Sequence, residues 1–154
     1  KCVRVVTNIP ITVGKGLTGI AWGENLTKDQ KQITKKLFEN TSKIYEFTED
    51  YLDIFLALTS SGPAIIALII EALSDGGLSG GLPKILSEEL IMEMILGTIS
   101  LIKENQLTPS ELKNLVTSPG GTTISALRVL EKKSVRSALI ESIVSASNRS
   151  KEFN

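Results

Sequence analysis

The sequence predicts a mainly α-helical protein that opens with a short α/β segment. Three observations carry this. Strand-like runs with β-branched residues fall near the N-terminus, and helical spacing of apolar residues dominates from residue 49 onward. Glycine and proline cluster at the breaks between the helical runs.

Taken in order, residues 2–6 and 18–22 read as short strands, separated by a loop that Pro10, Gly14 and Gly16 punctuate. Thr27 caps a polar helix over about 28–40, with Ile33 and Leu37 on its apolar side. Residues 43–47 form a third short strand. Three such strands are too few to make a sheet of their own. Residues 50–58 form a helix, with Glu49 and Asp50 at its start, where carboxylates complement the dipole. Ser61-Gly62-Pro63 breaks it and places proline in the first turn of the next helix.

That next helix, 64–73, is apolar around nearly its whole circumference, the pattern of an element buried on all sides or between subunits. Gly76, Gly77, Gly80, Gly81 and Pro83 supply the following connection. A long helix over 87–104 repeats Leu90, Ile91, Met94, Ile95, Ile99 and Ile102 at helical spacing, with Met92 and Met94 as core packing. Thr108 caps a short helix over 109–116. Helices over 123–132 and 135–151 complete the chain. This much all-round apolar helix exceeds what one 154-residue monomer hides, which points to an intimate dimer.

Composition removes several function classes. Seventeen Lys and Arg balance seventeen Asp and Glu, and no basic block interleaves with aromatics, so nucleic acid is not an expected partner. Histidine is absent, which excludes imidazole metal ligands and His-based triads, and no carboxylates sit at metal-like spacing. Cys2 is the single cysteine, which suits a reducing cytoplasm. The longest apolar run, 64–70, is too short to span a bilayer. There is no glycine-rich nucleotide fingerprint and no Walker-type lysine. The chain opens Lys1-Cys2-Val3 without methionine, as expected of a piece of something longer.

The most informative stretch is Val116-Thr117-Ser118-Pro119-Gly120-Gly121-Thr122-Thr123. Pro119 and the two glycines stop one helix and let the chain turn, and Thr122 and Thr123 are N-cap candidates for the next. Such a bend gathers backbone N–H groups and hydroxyls at the positive end of a helix, where a carboxylate binds. A plain helix connector uses the same residues, and the reading of the turn alone leaves both open.

Residues 116–127 resemble the signature of the pyrroline-5-carboxylate reductase family. Arg4-Val5-Val6-Thr7-Asn8-Ile9-Pro10, Ser61-Gly62-Pro63-Ala64, Glu71-Ala72-Leu73-Ser74-Asp75-Gly76-Gly77 and Gly81-Leu82-Pro83 are similar to further family segments in the same order. The resemblance covers only the family's C-terminal half. It implies the last strands of a dinucleotide-binding Rossmann domain over 1–47. Over 48–154 it implies an interlocking helical dimerisation domain of the 6-phosphogluconate dehydrogenase C-terminal type.

The implied reaction is NAD(P)H-dependent reduction of 1-pyrroline-5-carboxylate to L-proline, with NADP or NAD bound mainly by the other half. The implied assembly is a homodimer, often part of a decamer. Carried over residue by residue, Ser118, Gly120, Gly121, Thr122 and Thr123 bind the substrate carboxylate, and Thr123 is the catalytic threonine facing the ring nitrogen. Glu49 matches a glutamate near the substrate, and Asn8 lies at the strand end bordering the cofactor. The chain alone is expected to fold and dimerise without turnover. Leu56 stands where the family has threonine, and Ser60 where it has glycine. Both allow a paralogue acting on another cyclic imine. A non-catalytic helical dimerisation module is the other alternative.

Overall fold

The computed structural model describes residues 1–153. The chain is mostly helical with one three-stranded sheet, and it divides into two compact units. The first comprises Lys1–Ile65 and Leu139–Asn154, the second Ile66–Ala138.

In the first unit the sheet runs in the order β1 (Val3–Thr7), β2 (Gly16–Trp22), β3 (Ser42–Phe47). β1 is antiparallel to β2, with Val3 opposite Trp22 and Thr7 opposite Thr18; β2 is parallel to β3, with Gly16 opposite Ser42. A parallel pair needs a crossover, and α1 (Lys28–Lys36) lies in it. The expectation that these strands make no sheet is therefore corrected. Three strands suffice because the central one is covered: Thr18 and Ile20 on β2 are fully buried.

α1 starts on a capping box in which Thr27 and Gln30 satisfy each other's backbone N–H. It ends at Lys36 rather than near residue 40, because the Thr41 and Ser42 hydroxyls donate to the Phe38 carbonyl and offer the backbone a turn instead. After a tight turn over Glu49–Tyr51 comes α2 (Leu52–Thr59), which buries Leu52, Phe55 and Ala57. Phe55 packs against Phe47 with ring centroids 5.3 Å apart, and Tyr45 and Tyr51 extend the cluster. Its ring also lies over Gly19, where a Cβ would stand 2.8 Å from Cδ1 and Cε1.

α3 (Gly62–Ser79) begins in the first unit and continues into the second. It runs straight through Gly76 and Gly77, which sequence analysis placed in a connection. The reason is close packing within the second unit: a Cβ on Gly77 would meet the Ser87 Oγ of α4 (Lys84–Glu104) at 2.6 Å. The true turn is shorter, with Gly81 in the left-handed region at φ 96°. Lys84 closes it with a 2.6 Å ion pair to Asp75. α5 (Pro109–Leu115), α6 (Thr122–Lys132) and α7 (Val135–Lys151) follow.

The second unit has no closed apolar core among the described residues. Its buried residues are Ser74 and Ser87, while Leu68, Ile85, Leu96 and Leu115 stand more than half exposed. Met92 and Met94, expected in a core, are each 48% exposed, because a helical hairpin covers only one stripe of each helix. The stretch Glu49–Ser79, α2 and α3 together, is long and apolar enough by length and composition to cross a membrane. The 64–70 run considered alone in the sequence did not show this.

Gly19→Ala should destabilise the first unit by roughly 1–3 kcal/mol, because the Phe55 ring is held by its aromatic neighbours and cannot move aside freely. Urea denaturation followed by tyrosine and tryptophan fluorescence measures this. An unchanged midpoint would mean that the ring yields.

Candidate functional site

The 116–123 segment forms one tight corner in the second unit. α5 stops at Leu115, and the Thr117 hydroxyl donates to the Lys113 carbonyl at 2.6 Å. Gly121 N–H donates to the Ser118 carbonyl at 3.1 Å, with Gly120 between them in the left-handed region at φ 70°. Gly120 is thus the position where glycine's conformational freedom is needed. At Gly121 the constraint is space: a Cβ would lie 2.4 Å from the Ser118 Oγ.

The structure corrects the cap assignment. Gly121 takes the N-cap position with extended backbone, and Thr122 and Thr123 are the first two residues of α6. The left-handed turn at Gly120 brings the helix start forward, so neither threonine hydroxyl caps. The first main-chain bond at this end runs from Ser125 N–H to the Gly121 carbonyl at 3.4 Å, which leaves the amides of Thr122, Thr123 and Ile124 open.

Two other helices of the same chain are treated differently. α1 and α5 both carry complete capping boxes, Thr27 with Gln30 and Thr108 with Glu111. α6 has no side-chain cap, as is also the case for α2 and α4. An uncapped N-terminus flanked by the hydroxyls of Ser118, Thr122 and Thr123 can accept an anion of carboxylate size. Ser118, Gly120, Gly121, Thr122 and Thr123 are therefore brought together as expected. A cleft of about 680 Å3 opens beside them between α5 and α6, lined by Lys113, Thr117, Ile124, Leu127, Arg128 and Lys132.

Glu49 and Asn8 belong to the first unit. Asn8 is 8% exposed, and its amide is engaged within the fold. Its Oδ1 accepts from Leu17 N–H at 2.8 Å and its Nδ2 donates to the Thr59 carbonyl at 3.1 Å. It ties the end of β1 to β2 and to α2. Ser60 does related work, donating its hydroxyl to the Thr7 carbonyl at 3.0 Å. Leu56 is half-buried and lines a cavity of about 360 Å3 with Arg4, Ser61, Arg149, Ser150 and Phe153.

Glu49 is not alone. Arg4 Nη1 donates to its Oε1 at 2.7 Å, while Arg4 Nη2 reaches Asp53 Oδ1 at 3.3 Å. The Ser150 hydroxyl donates to the same Asp53 oxygen at 2.7 Å, and both residues are nine-tenths buried. The hydrogen bond to Glu49 raises the Arg4 guanidinium further above its ordinary value, against the opposing effect of burial. Sequence reasoning missed Arg4, Asp53 and Ser150. The one available signal was the pair of carboxylates at 49 and 53, one helical turn apart.

This architecture is that of a helical dimerisation domain: a family model described as pyrroline-5-carboxylate reductase dimerisation matches residues 49–153. The chain belongs to the pyrroline-5-carboxylate reductase family. It is 43% identical over 151 residues to the Synechocystis pyrroline-5-carboxylate reductase, covering 98% of this chain and 57% of that protein. It is 39% identical to the Glycine max enzyme, covering 99% and 56%.

Among solved structures, Plasmodium falciparum pyrroline carboxylate reductase with NADP bound superposes with a TM-score of 0.95 at 32% identity. That match covers 99% of this chain and 62% of the other. The Coxiella burnetii pyrroline-5-carboxylate reductase superposes at 0.88 with 36% identity, covering 97% and 56%. The chain thus spans just over half the length of the relatives it matches.

The two styles of helix start should respond differently to acid. Glu111 is held below the usual carboxylate range, first by the Thr108 backbone N–H and then by its hydroxyl. A depressed folded-state value means the cap is at full strength above the ordinary glutamate range and is lost as pH falls through the lowered value. Amide exchange should therefore show α5 fraying on acidification while the start of α6, which has no carboxylate cap, does not follow. Parallel fraying of both helices would contradict the assignment.

Proposed function

We propose that the protein carrying this chain is an NAD(P)H-dependent pyrroline-5-carboxylate reductase, in which this part binds the substrate and pairs the subunits. The single observation that carries the reading is the uncapped, hydroxyl-flanked start of α6 in a chain of this family. In this reading residues 1–47 end a dinucleotide-binding domain and 48–154 form the interlocking helical domain. The uncovered apolar faces of α3 and α4 meet a second copy, in a dimer or a ring of five dimers, rather than lipid or nucleic acid. Within this chain the single cysteine, Cys2, is exposed and free of a disulfide, which suits the reducing cytoplasm.

The chemistry asks little covalent work of the protein. The nicotinamide, NADPH or NADH, supplies a hydride to the C=N carbon when bound, and the ring nitrogen ends with a proton as L-proline forms. The amides of Thr122, Thr123 and Ile124 and the Ser118 and Thr122 hydroxyls hold the substrate carboxylate. The Thr123 hydroxyl faces the ring nitrogen as its hydrogen-bond partner. Glu49 is carried as a substrate residue on the family resemblance. Asn8 shapes the strand end at the cofactor border through its bonds to Leu17 and Thr59, which leave its amide committed to the fold.

A second reading, reduction of a different cyclic imine, is motivated by Leu56 and Ser60. Turnover of 1-pyrroline-5-carboxylate against related cyclic imines by the complete protein, followed by NAD(P)H absorbance, decides between them. The expected result is preference for the 5-carboxylate, with Thr123→Ala lowering kcat/KM by about 10²-fold, as loss of a positioned hydroxyl at the reacting atoms does. Unchanged kcat/KM in that variant would overturn the role given to Thr123, and absence of turnover by the complete protein would favour a non-catalytic dimerisation module.

A further inference from the structure

The cleft of about 680 Å3 in the second unit is lined by α5, α6 and the turn that joins them, and no other described helix lies in it. Half-buried Ile124 and Leu127 give it an apolar base, and the exposed cations Lys113, Arg128 and Lys132 stand along its edges. Its one acid, Glu131, is already bound by Arg136. Among the described residues Arg128 and Lys132 make no ion pair. An apolar base edged by open cations fits the side of an acidic amphipathic helix.

The same unit contains such a helix. α4 turns Ser87, Ile91 and Ile95 inward, and its opposite side carries Leu86, Glu89, Leu90, Glu93 and Leu96, all exposed. Glu88 lies off this stripe and is taken by Lys84 at 3.6 Å. Glu89 and Glu93 make no ion pair among the described residues, so two open negative charges sit between leucines.

The spacings of the two charge sets agree. Glu89 and Glu93 are four residues apart on α4, as are Arg128 and Lys132 on α6. Each pair therefore spans about 6 Å along its own helix, and both ends can meet at once. Leu90, between the acids, then faces Ile124 and Leu127. α4 does not occupy the cleft of its own chain, so the helix that fits is that of a second copy, and two-fold symmetry makes the contact twice. The family model that covers this unit is a dimerisation model.

We propose that α4 of one copy seats in the α5–α6 cleft of a second copy, with Glu89 and Glu93 paired to Arg128 and Lys132, and that these charges set the register of the pairing. This rests on the reading of the chain as one that pairs with itself, and it names the surfaces that meet.

Sedimentation velocity on the complete protein over a dilution series gives the dimer dissociation constant, with circular dichroism as the check on folding. Glu89→Lys with Glu93→Lys should weaken dimerisation at least about 100-fold, because like charges then face each other in both symmetric contacts. Adding Arg128→Glu and Lys132→Glu, which exchanges the paired charges, should recover most of the affinity. Adding Lys28→Glu and Lys36→Glu on α1 instead restores the same net charge and should recover little.

A second measurement serves where the charge variants do not fold. In a Cys2→Ser background, a Glu93→Cys chain is coexpressed with a differently tagged Arg128→Cys or Lys132→Cys chain. A short bis-maleimide should join the two subunits in at least one of these combinations. An unchanged dissociation constant in the double reversal, equal recovery from the α1 charges, or no cross-link in a dimeric protein overturns the proposal while the dimer and enzyme readings stand. A complete protein that stays monomeric at every concentration overturns the reading beneath it, and this inference with it.

Discussion

The helices between Ile66 and Ala138 expose most of their own hydrocarbon, and the rest of the protein's design follows from that. Leu68, Ile85, Leu96 and Leu115 are over half exposed, and the residues this unit buries are serines. Surfaces of this kind do not persist in water uncovered. Within that unit α3 and α4 cross closely at Gly77 and Ser87. A flat, tightly paired hairpin presents a broad face, and small residues at the crossing keep its two helices close.

The first unit is built on the opposite principle. It owns the buried core: Ile20, Leu52, Phe55 and Ala57, with Gly19 admitting the Phe55 ring to the sheet. Its polar side chains are spent on fastening. Asn8, Ser60 and Asp53 each join elements distant in sequence, and each is satisfied by named partners. Such bonds contribute little net stability apiece, but leaving any of them unmade inside the fold is costly. Ser60 illustrates the consequence. A departure from the family's glycine that suggests altered chemistry in sequence comparison is, in the fold, a hydroxyl tying α2 to the end of β1.

The corner at 116–123 is shaped by its main-chain geometry. Gly120 supplies the left-handed turn and Gly121 the extended cap, and Ser118 fills the space that a side chain at 121 would need. α1 and α5 start on capping boxes, whereas α2, α4 and α6 have no side-chain cap. What sets the α6 start apart is the combination of open amides at Thr122, Thr123 and Ile124 with the neighbouring hydroxyls of Ser118, Thr122 and Thr123.

By itself the sequence determined what depends on local physics: the presence of each helix, the Thr27 and Thr108 caps, a sharp turn at Pro119, Gly120 and Gly121, and the excess of apolar helix. It also determined the membership that the family match affirms. Only the tertiary structure decided which near neighbours are partners. Three short strands became a sheet because β2 found cover, and Gly76 and Gly77 stayed helical because α4 approached. Met92 and Met94 proved exposed because a hairpin covers one stripe. Arg4, Asp53 and Ser150 met across nearly the whole chain, from residue 4 to residue 150. Periodicity and capping act over a few residues and can be read in order, whereas burial and ion pairing are set by chain closure, which no local pattern encodes.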